Sequence, residues 1–350
     1  MNDLNQILND CLHEFEFNQI EIGPLQQPMS FEFYEKWIQN NYFGSMKYLK
    51  AHLSLKKNPQ LLNSQVTSVI TIAQSYFPAV KPIENPARIA MYAQNEDYHH
   101  WLKEKLQSVI EKLQAQFPHE IYLPYVDSGP VLERNWAYQN GMGWFGKNSC
   151  LIHPKHGSLF FIAEILTSLN STVPMNIEPL PDFCGTCQKC MTICPTEALI
   201  APKILKADQC ISYLTIEAKE VPSIDLRTKI GDWFFGCDLC QTTCPWNEKL
   251  FKQKKLSSQP SLQTDLLLEM TSEEKNKLIS YLSWLLNSSN NQIQKQNKGT
   301  ALARASGKNL KRNALIVIAN RQLTELKNDV ENLKIPELTE LKEWTLQKIT

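Results

Sequence analysis

The stretch Cys184–Pro195, CGTCQKCMTICP, decides how this chain is organised. Its cysteines stand at 184, 187, 190 and 194 in the order C-x2-C-x2-C-x3-C-P. That is the spacing of bacterial two-cluster ferredoxins, in which the fourth cysteine serves the other cluster. Three thiolates two residues apart wrap three corners of one cubane. Three residues further on the chain points away, and Pro195 stops the hydrogen-bonded turn from continuing.

Downstream, GCDLCQTTCPWN (236–247) repeats the pattern with one ligand missing. Cys237, Cys240 and Cys244 give C-x2-C-x3-C-P, but the position three before Cys237 is Phe234. Cys210, in DQCISYLTIE (208–217), is the only cysteine between the two runs. The consistent assignment is one [4Fe–4S] cluster on Cys184, Cys187, Cys190 and Cys244, and a second on Cys194, Cys210, Cys237 and Cys240. Zinc also uses paired C-x2-C units, but it leaves both Cys-Pro positions and their crossed spacing unexplained. Cys11 and Cys150 fall outside the pattern and are read as inert.

Working outward, 350 residues suffice for two or three domains with buried cores. Lys+Arg and Asp+Glu both number 36, so no global charge draws the chain to nucleic acid or membrane. The start, Met1 to Asp10, is polar, and the longest apolar run, Leu159 to Leu166, is broken by Glu164. It falls far short of the about 20 residues of a membrane helix. A cytoplasmic protein without membrane contact is expected, and in that reducing compartment cysteines favour metal chemistry over disulfides.

The expected fold class is α+β: a mixed α/β domain over 1–172, a ferredoxin-like two-cluster domain over 173–255, and a helical module over 256–350. In the first domain, Val66–Ser75 reads as a buried strand, with further strands at 121–126 and 158–166. Leu102, Leu106, Val109, Ile110 and Leu113 form one stripe of a helix over 98–117. Pro130 opens a helix ending near Gly141. A linker punctuated by Pro174, Pro179 and Pro181 leads into the cysteines. Beyond them Leu262–Met270 is apolar-rich, Thr271 and Glu274 form a capping box, and 310–320 and 338–349 read as helices. The biased stretch NSSNNQIQKQNKG (287–299) reads as a mobile loop.

Two clusters make an electron conduit and leave the substrate open. The richest chemistry in the first domain is YVDSGPVLERNWAYQNGMGWFGKNSCLIHPKHG (125–157). Asp127 is either an Asx-turn or helix cap, or an acid at the mouth of a pocket. Gly141, Gly143 and Gly146 either form plain turns or let a large flat ligand or a phosphate approach the backbone. Lys147 either meets a phosphate or is solvated.

Taken together, the Tyr125–Lys147 stretch, CGTCQKCMTICPTEAL, DQCISYLTIE and GCDLCQTTCPWN resemble the epoxyqueuosine reductases, in order and spacing, from about Met46 to Asn320. DQCISYLTIE is the most telling segment, because it supplies the displaced ligand in that family too. The resemblance implies a cobalamin-dependent iron–sulfur enzyme for the last step of queuosine formation in tRNA. It implies a first domain akin to the corrinoid-binding domain of reductive dehalogenases, holding cobalamin base-off near the clusters. Cob(I)alamin would attack the epoxide-bearing ring while Asp127 protonates the departing oxygen, for which burial must raise the Asp127 pKa. Lys56, where many members carry Arg, Leu151, Ile162 and Ser212 match positions at the cofactor. The C-terminal module is HEAT-like by the same resemblance.

Lys295, Lys298, Arg304, Lys308, Lys311 and Arg312 cluster within eighteen residues. By composition alone they could be a solvated helix face. With the family in view, Lys308, Lys311 and Arg312 become candidate contacts to tRNA phosphates, with a splayed anticodon base entering the first domain. The implied partners are tRNA carrying epoxyqueuosine and an unidentified low-potential electron donor, and the implied state is a monomer. A corrinoid reductase of a small molecule and a simple electron carrier are the competing readings.

Overall fold

The computed structural model describes residues 2–78, 85–170, 179–254 and 264–350. The boundaries expected at 172/173 and 255/256, the linker around Pro174 and the start of the Leu262–Met270 segment lie outside the described residues.

A four-stranded antiparallel sheet organises the first domain: β1 (Gln19–Pro24), β2 (Ser68–Ser75), β3 (Tyr122–Tyr125) and β4 (Phe160–Thr167), in spatial order β1-β2-β4-β3. The central pair, β2 and β4, is in register from Ser68↔Thr167 to Ser75↔Phe160. Side chains alternate between the two faces. Ile20, Ile22, Ile70, Ile72, Ala163 and Ile165 point one way, into a core closed by α1 (Asn2–Glu14) and α2 (Tyr98–Gln116). On the other face, Val69 and Leu166 pack on Trp136, while Ala73 and Phe160 pack on Ala137, both from α3 (Glu133–Gln139). Burial on both faces explains why VTSVITIAQS reads as a nearly continuous apolar run. The strands and helices read from the sequence appear within a few residues of their expected positions.

Among the described residues the C-terminal helices have no separate core. One apolar cluster joins Ile211 and Leu214 of α4 (Ile211–Ile216), the strand Trp233–Phe235, and Leu282, Leu315 and Leu341 of the tail. Those tail residues lie on α5 (Ser272–Asn287), α7 (Gly307–Asn320) and α8 (Thr339–Ile349). The first domain contributes too, because Arg88–Ile89 pairs in parallel with Trp233–Phe235. The capping box of Thr271 and Glu274 is present at the start of α5.

The expectation of a mobile loop over 287–299 is corrected. Residues Asn290–Gln296 form α6, opened by a second capping box in which Ser289 and Gln292 exchange bonds. Ile293 is fully buried in the shared core. A polar composition hid one apolar anchor and an S-x-x-Q start signal. Gly299 then adopts φ +80°, and its carbonyl accepts the N–H of Asp97 at 2.8 Å. This turn ties the tail to the first domain.

Candidate functional site

The two cysteine runs fold alike. In each, the second and third positions sit on or just before a short helix (Lys189–Ile193 and Leu239–Thr242), and the fourth precedes a proline. All ten cysteines are free thiols. Their mutual electrostatics divide them as the spacing does. Cys190 feels Cys244, Cys184 and Cys187, whereas Cys240 feels Cys237, Cys210 and Cys194, and also Cys150.

The displaced ligand has a physical twin. Cys210 and Cys244 each cap a helix, and each thiol faces two N–H groups of the first turn: Ser212 and Tyr213 for Cys210, Trp246 and Asn247 for Cys244. Those N–H groups favour the thiolate, but burial outweighs them and pushes both thiols up. Burial likewise drives Cys190 up to about 11. Ligation must therefore displace the thiol protons. The cysteines fit cluster ligation in a further way. Trp144 is buried against Cys244 and Cys184, and its indole N–H has no partner among the described residues. A cluster sulfide is the kind of acceptor such an orphan donor lacks.

Lys147 is neither solvated nor free for phosphate. Its Nζ donates to the carbonyls of Gly185 at 2.6 Å and Cys187 at 2.8 Å, fixing the first cluster loop. The Gly143 position is also explained by the chain itself: an added Cβ would lie 2.3 Å from the Ile152 carbonyl oxygen. The glycine permits the close hairpin of Trp144–Phe145 with Leu151–Ile152 rather than approach of a ligand.

Asp127 follows β3 with φ +56°, a left-handed conformation that Asp tolerates better than most residues. It caps no helix, since the N-cap of α3 is Leu132. Its N–H donates to Glu133 Oε1 at 2.5 Å. The side chain, 56% exposed, receives the Tyr98 hydroxyl at 2.8 Å and faces His99 Nε2 at 3.3 Å, both on Oδ2. The Tyr98 ring stacks on Phe161 of β4 at 3.9 Å. His99 is buried, and its Nδ1 lies 2.7 Å from Asp97 Oδ1. Arg304, from the turn before α7, approaches Asp97 Oδ2 at 3.5 Å.

The expected upward pKa shift of Asp127 is not found. Crowding by the surrounding protein pushes the carboxyl up, but hydrogen bonds from His99 and Tyr98 and the charges of His99 and Arg304 outweigh it. Asp127 is held below the ordinary carboxylate range, because those bonds favour the charged form. The raised carboxyl is its neighbour: burial and the Asp127 charge push Glu133 up to about 8. Tyr98, His99, Asp97, Glu133 and Arg304 were not singled out as partners of Asp127 in the sequence. The available signal was Asp97-Tyr98-His99 at the start of a helix whose apolar stripe does not use His99.

Leu151 is buried with Ala73, Ala137, Met142 and Phe160, and half-buried Ile162 packs on the same group. Ser212 is half-buried in the first turn after Cys210. Lys56 is buried, and its Nζ is engaged by the Tyr34 hydroxyl at 2.8 Å and the Leu49 carbonyl at 2.9 Å. Desolvation lowers its pKa.

Two of the three expected phosphate contacts are corrected. Lys311 is buried and donates to the Leu286 carbonyl at 2.9 Å. Arg312 is 1% exposed and donates to the carbonyls of Leu214 at 2.7 Å, Glu220 at 3.0 Å and Ala218. These cations tie helices together and are not available to a polyanion. Lys308 remains at the surface, paired with Glu337 at 3.0 Å, and Lys295, Lys298 and Arg304 are exposed.

Comparison with known proteins places these features in context. A family model described as "Epoxyqueuosine reductase QueG, DUF1730" matches residues 56–128, and one described as "4Fe-4S double cluster binding domain" matches 183–247. The epoxyqueuosine reductase of Cellulophaga algicola is 41% identical over 214 residues, 61% of this chain and 69% of that protein. That of Escherichia coli is 33% identical over 308 residues, 81% of this chain and 80% of that protein. A crystal structure of epoxyqueuosine reductase with an epoxyqueuosine-modified tRNA-Tyr stem loop has the same fold, with TM-score 0.76 and 23% identity over 99% of both chains.

Proposed function

The chain belongs to the epoxyqueuosine reductase family, and we propose that it acts in that family's reaction with Asp127 as the acid. The reaction converts epoxyqueuosine to queuosine in tRNA, with electrons passed through two [4Fe–4S] clusters. Deoxygenating an epoxide to an alkene takes two electrons and two protons and releases water. The cysteine quartets would hold the clusters, which pass electrons one at a time. The observation that carries the assignment of the acid is the Asp127 carboxylate, open to solvent at the end of β3 and oriented by Tyr98 and His99.

The residues present suit a corrinoid, with one exception. Leu151 and Ile162 share an apolar group. Cys150, next to Leu151, lies within electrostatic reach of Cys190, Cys244 and Cys240, which belong to both quartets. Ser149 Oγ, two residues before Leu151, is buried without a hydrogen-bond partner among the described residues. Leu151 and Ile162 would hold the ring, with Ser212 on the side of the second cluster. Lys56 is the exception, because its ammonium already donates to Tyr34 and Leu49. Cobalamin, when bound, supplies a strongly reducing cobalt centre for carbon–oxygen bond cleavage.

The same reading extends to the partners. Exposed Lys295 and Lys298, with half-buried Lys308, would meet the phosphates of tRNA, and a low-potential electron donor would reduce the clusters. Among the described residues no helix is long and apolar enough to cross a membrane, and we read the protein as a cytoplasmic monomer. The test of the acid is Asp127→Asn in protein with clusters and cobalamin bound. Turnover should fall by about 100-fold or more, the usual worth of a positioned acid, while the cluster and corrinoid spectra stay unchanged. Full turnover by that variant would refute the role.

A further inference from the structure

The bonds around Asp127 belong to a longer chain of groups. His99 is 5% exposed, and each of its ring nitrogens faces a carboxylate: Nδ1 to Asp97 at 2.7 Å, Nε2 to Asp127 at 3.3 Å. A carboxylate without its proton only accepts, and a neutral imidazole carries a single N–H. Either neutral tautomer would therefore set a nitrogen lone pair against carboxylate lone pairs, at buried Asp97 or at the more open Asp127. Both contacts are hydrogen bonds only if each holds a proton. Asp97, His99 and Asp127 together must then carry one proton more than a neutral imidazole between two carboxylates.

We propose that this extra proton, kept on His99 between Asp97 and Asp127, is the one that Asp127 delivers to the departing epoxide oxygen. The proposal rests on the reading of Asp127 as the acid and explains how a carboxyl held low can serve as one. In the step, the His99 Nε2–H bond breaks as an Asp127 O–H bond forms, and Asp127 protonates the oxygen. His99 is left neutral, with Nδ1–H on Asp97, and recovers a proton from solvent afterwards. No electron moves in this step.

The surroundings suit a store rather than a plain structural bond. Two groups oppose the imidazolium: the positive end of α2, whose second residue is His99, and the Arg304 guanidinium, 3.5 Å from Asp97 Oδ2. Against them stand the two carboxylates, both in direct contact with the ring. Asp97 is doubly fixed, since its Oδ1 also caps α2 by accepting the His99 N–H at 3.1 Å. Tyr98 orients Asp127 Oδ2 but is a poor source of protons, because burial pushes its phenol far up. The remaining titratable groups facing Asp127 are Tyr48, Tyr92, Glu133 and Glu217. None of these is placed in contact with the His99 ring. His99 is thus a positioning and proton-holding residue that acts through Asp127.

The test has two arms. Protein labelled with 15N-histidine, carrying both clusters but no corrinoid or tRNA, is titrated by NMR. The His99 signal among the seven histidines is identified by its loss in His99→Gln. Both ring nitrogens should be protonated at pH 7. Asp97→Asn and Asp127→Asn should each lower the midpoint by about one unit or more, the effect of removing an adjacent opposite charge. In single-turnover reduction of epoxyqueuosine tRNA, His99→Gln should lose about 10- to 100-fold at pH 7.5. That deficit should narrow as the pH falls and Asp127 takes its proton directly. Asp97→Asn should move the alkaline limb by the NMR shift.

A His99 that is neutral at pH 7, or whose midpoint neither Asn variant moves, overturns the proposal. A His99→Gln deficit equal at every pH does the same. Should His99→Gln lose its clusters, Asp97→Asn, which keeps the helix cap, decides the matter. Wild-type protein inert toward epoxyqueuosine tRNA would refute the reading of the function, and the NMR arm would still decide the proton store.

Discussion

Replacing Arg312 by Met separates a phosphate contact from a structural clamp. In the structure Arg312 gives charged hydrogen bonds to the carbonyls of Leu214, Ala218 and Glu220, and Asn313 beside it bonds the carbonyls of Thr215 and Phe234. These carbonyls belong to the two arms that carry Cys210 and Cys237, the proposed ligands of the second cluster. Glu220 is exposed, so its carbonyl rehydrates when the guanidinium is gone. The carbonyls of buried Leu214 and Ala218 do not. At about 1.5–3 kcal/mol for each hydrogen bond to a charged group, their loss costs about 3–6 kcal/mol. Burial of the cation has its own cost, visible in an Arg312 pKa lowered to about 10 by desolvation. Met removes that cost and fills part of the volume, which leaves a net loss of about 2–4 kcal/mol. Urea unfolding followed by cluster absorbance should show an earlier midpoint in Arg312→Met, with the second cluster lost first. Affinity for tRNA at low urea, and its dependence on salt, should stay as in the wild type. An unchanged midpoint with weaker tRNA binding and a shallower salt slope would refute the reasoning, since that is what a lost phosphate contact does.

Cys210→Ser should keep the first cluster and lose the second, so that iron falls from about eight to about four atoms per chain, read by iron analysis and absorbance. Glu133→Gln tests the raised carboxyl. Burial pushes its folded pKa up to about 8 from the ordinary 4.5, so its favourable contribution is complete below pH 4.5 and is lost as the pH rises toward 8. The wild type should lose stability relative to the Gln variant across that interval in thermal melts. A constant difference would place the carboxyl elsewhere. Arg304→Gln removes a cation that lowers the pKa of both Asp97 and Asp127. The acid limb of the pH–rate profile, where these carboxylates take up protons, should move to higher pH at low salt and less so at high salt.

The double-cluster domain was legible because metal chemistry constrains the spacing of residues close in sequence. Cys210 stood out as the candidate for the displaced ligand, since it is the only cysteine between the runs. The sheet was legible for a similar reason: a strand buried on both faces has few polar residues to confuse it. The partners of Asp127 were not. Tyr98 and His99 lie 29 and 28 residues before it, and only the packing of β3 beside α2 brings them together. Arg312 misled in a different way. A positive charge in a basic stretch reads as surface, and the carbonyls that surround it come from about 100 residues away, where helix ends leave acceptors unfilled. The polar stretch 287–299 hid its helix because a single buried Ile293 anchors it.

The central claim is that this chain removes the epoxide oxygen of a tRNA base with cluster-borne electrons and an acid at Asp127. Its most direct test incubates epoxyqueuosine-containing tRNA with the protein carrying both clusters, cobalamin and a strong reductant, and analyses the nucleosides by mass. The wild type should convert epoxyqueuosine to queuosine with loss of one oxygen, and Asp127→Asn should leave it nearly untouched. Unchanged epoxyqueuosine after incubation with fully loaded wild-type protein would contradict the account.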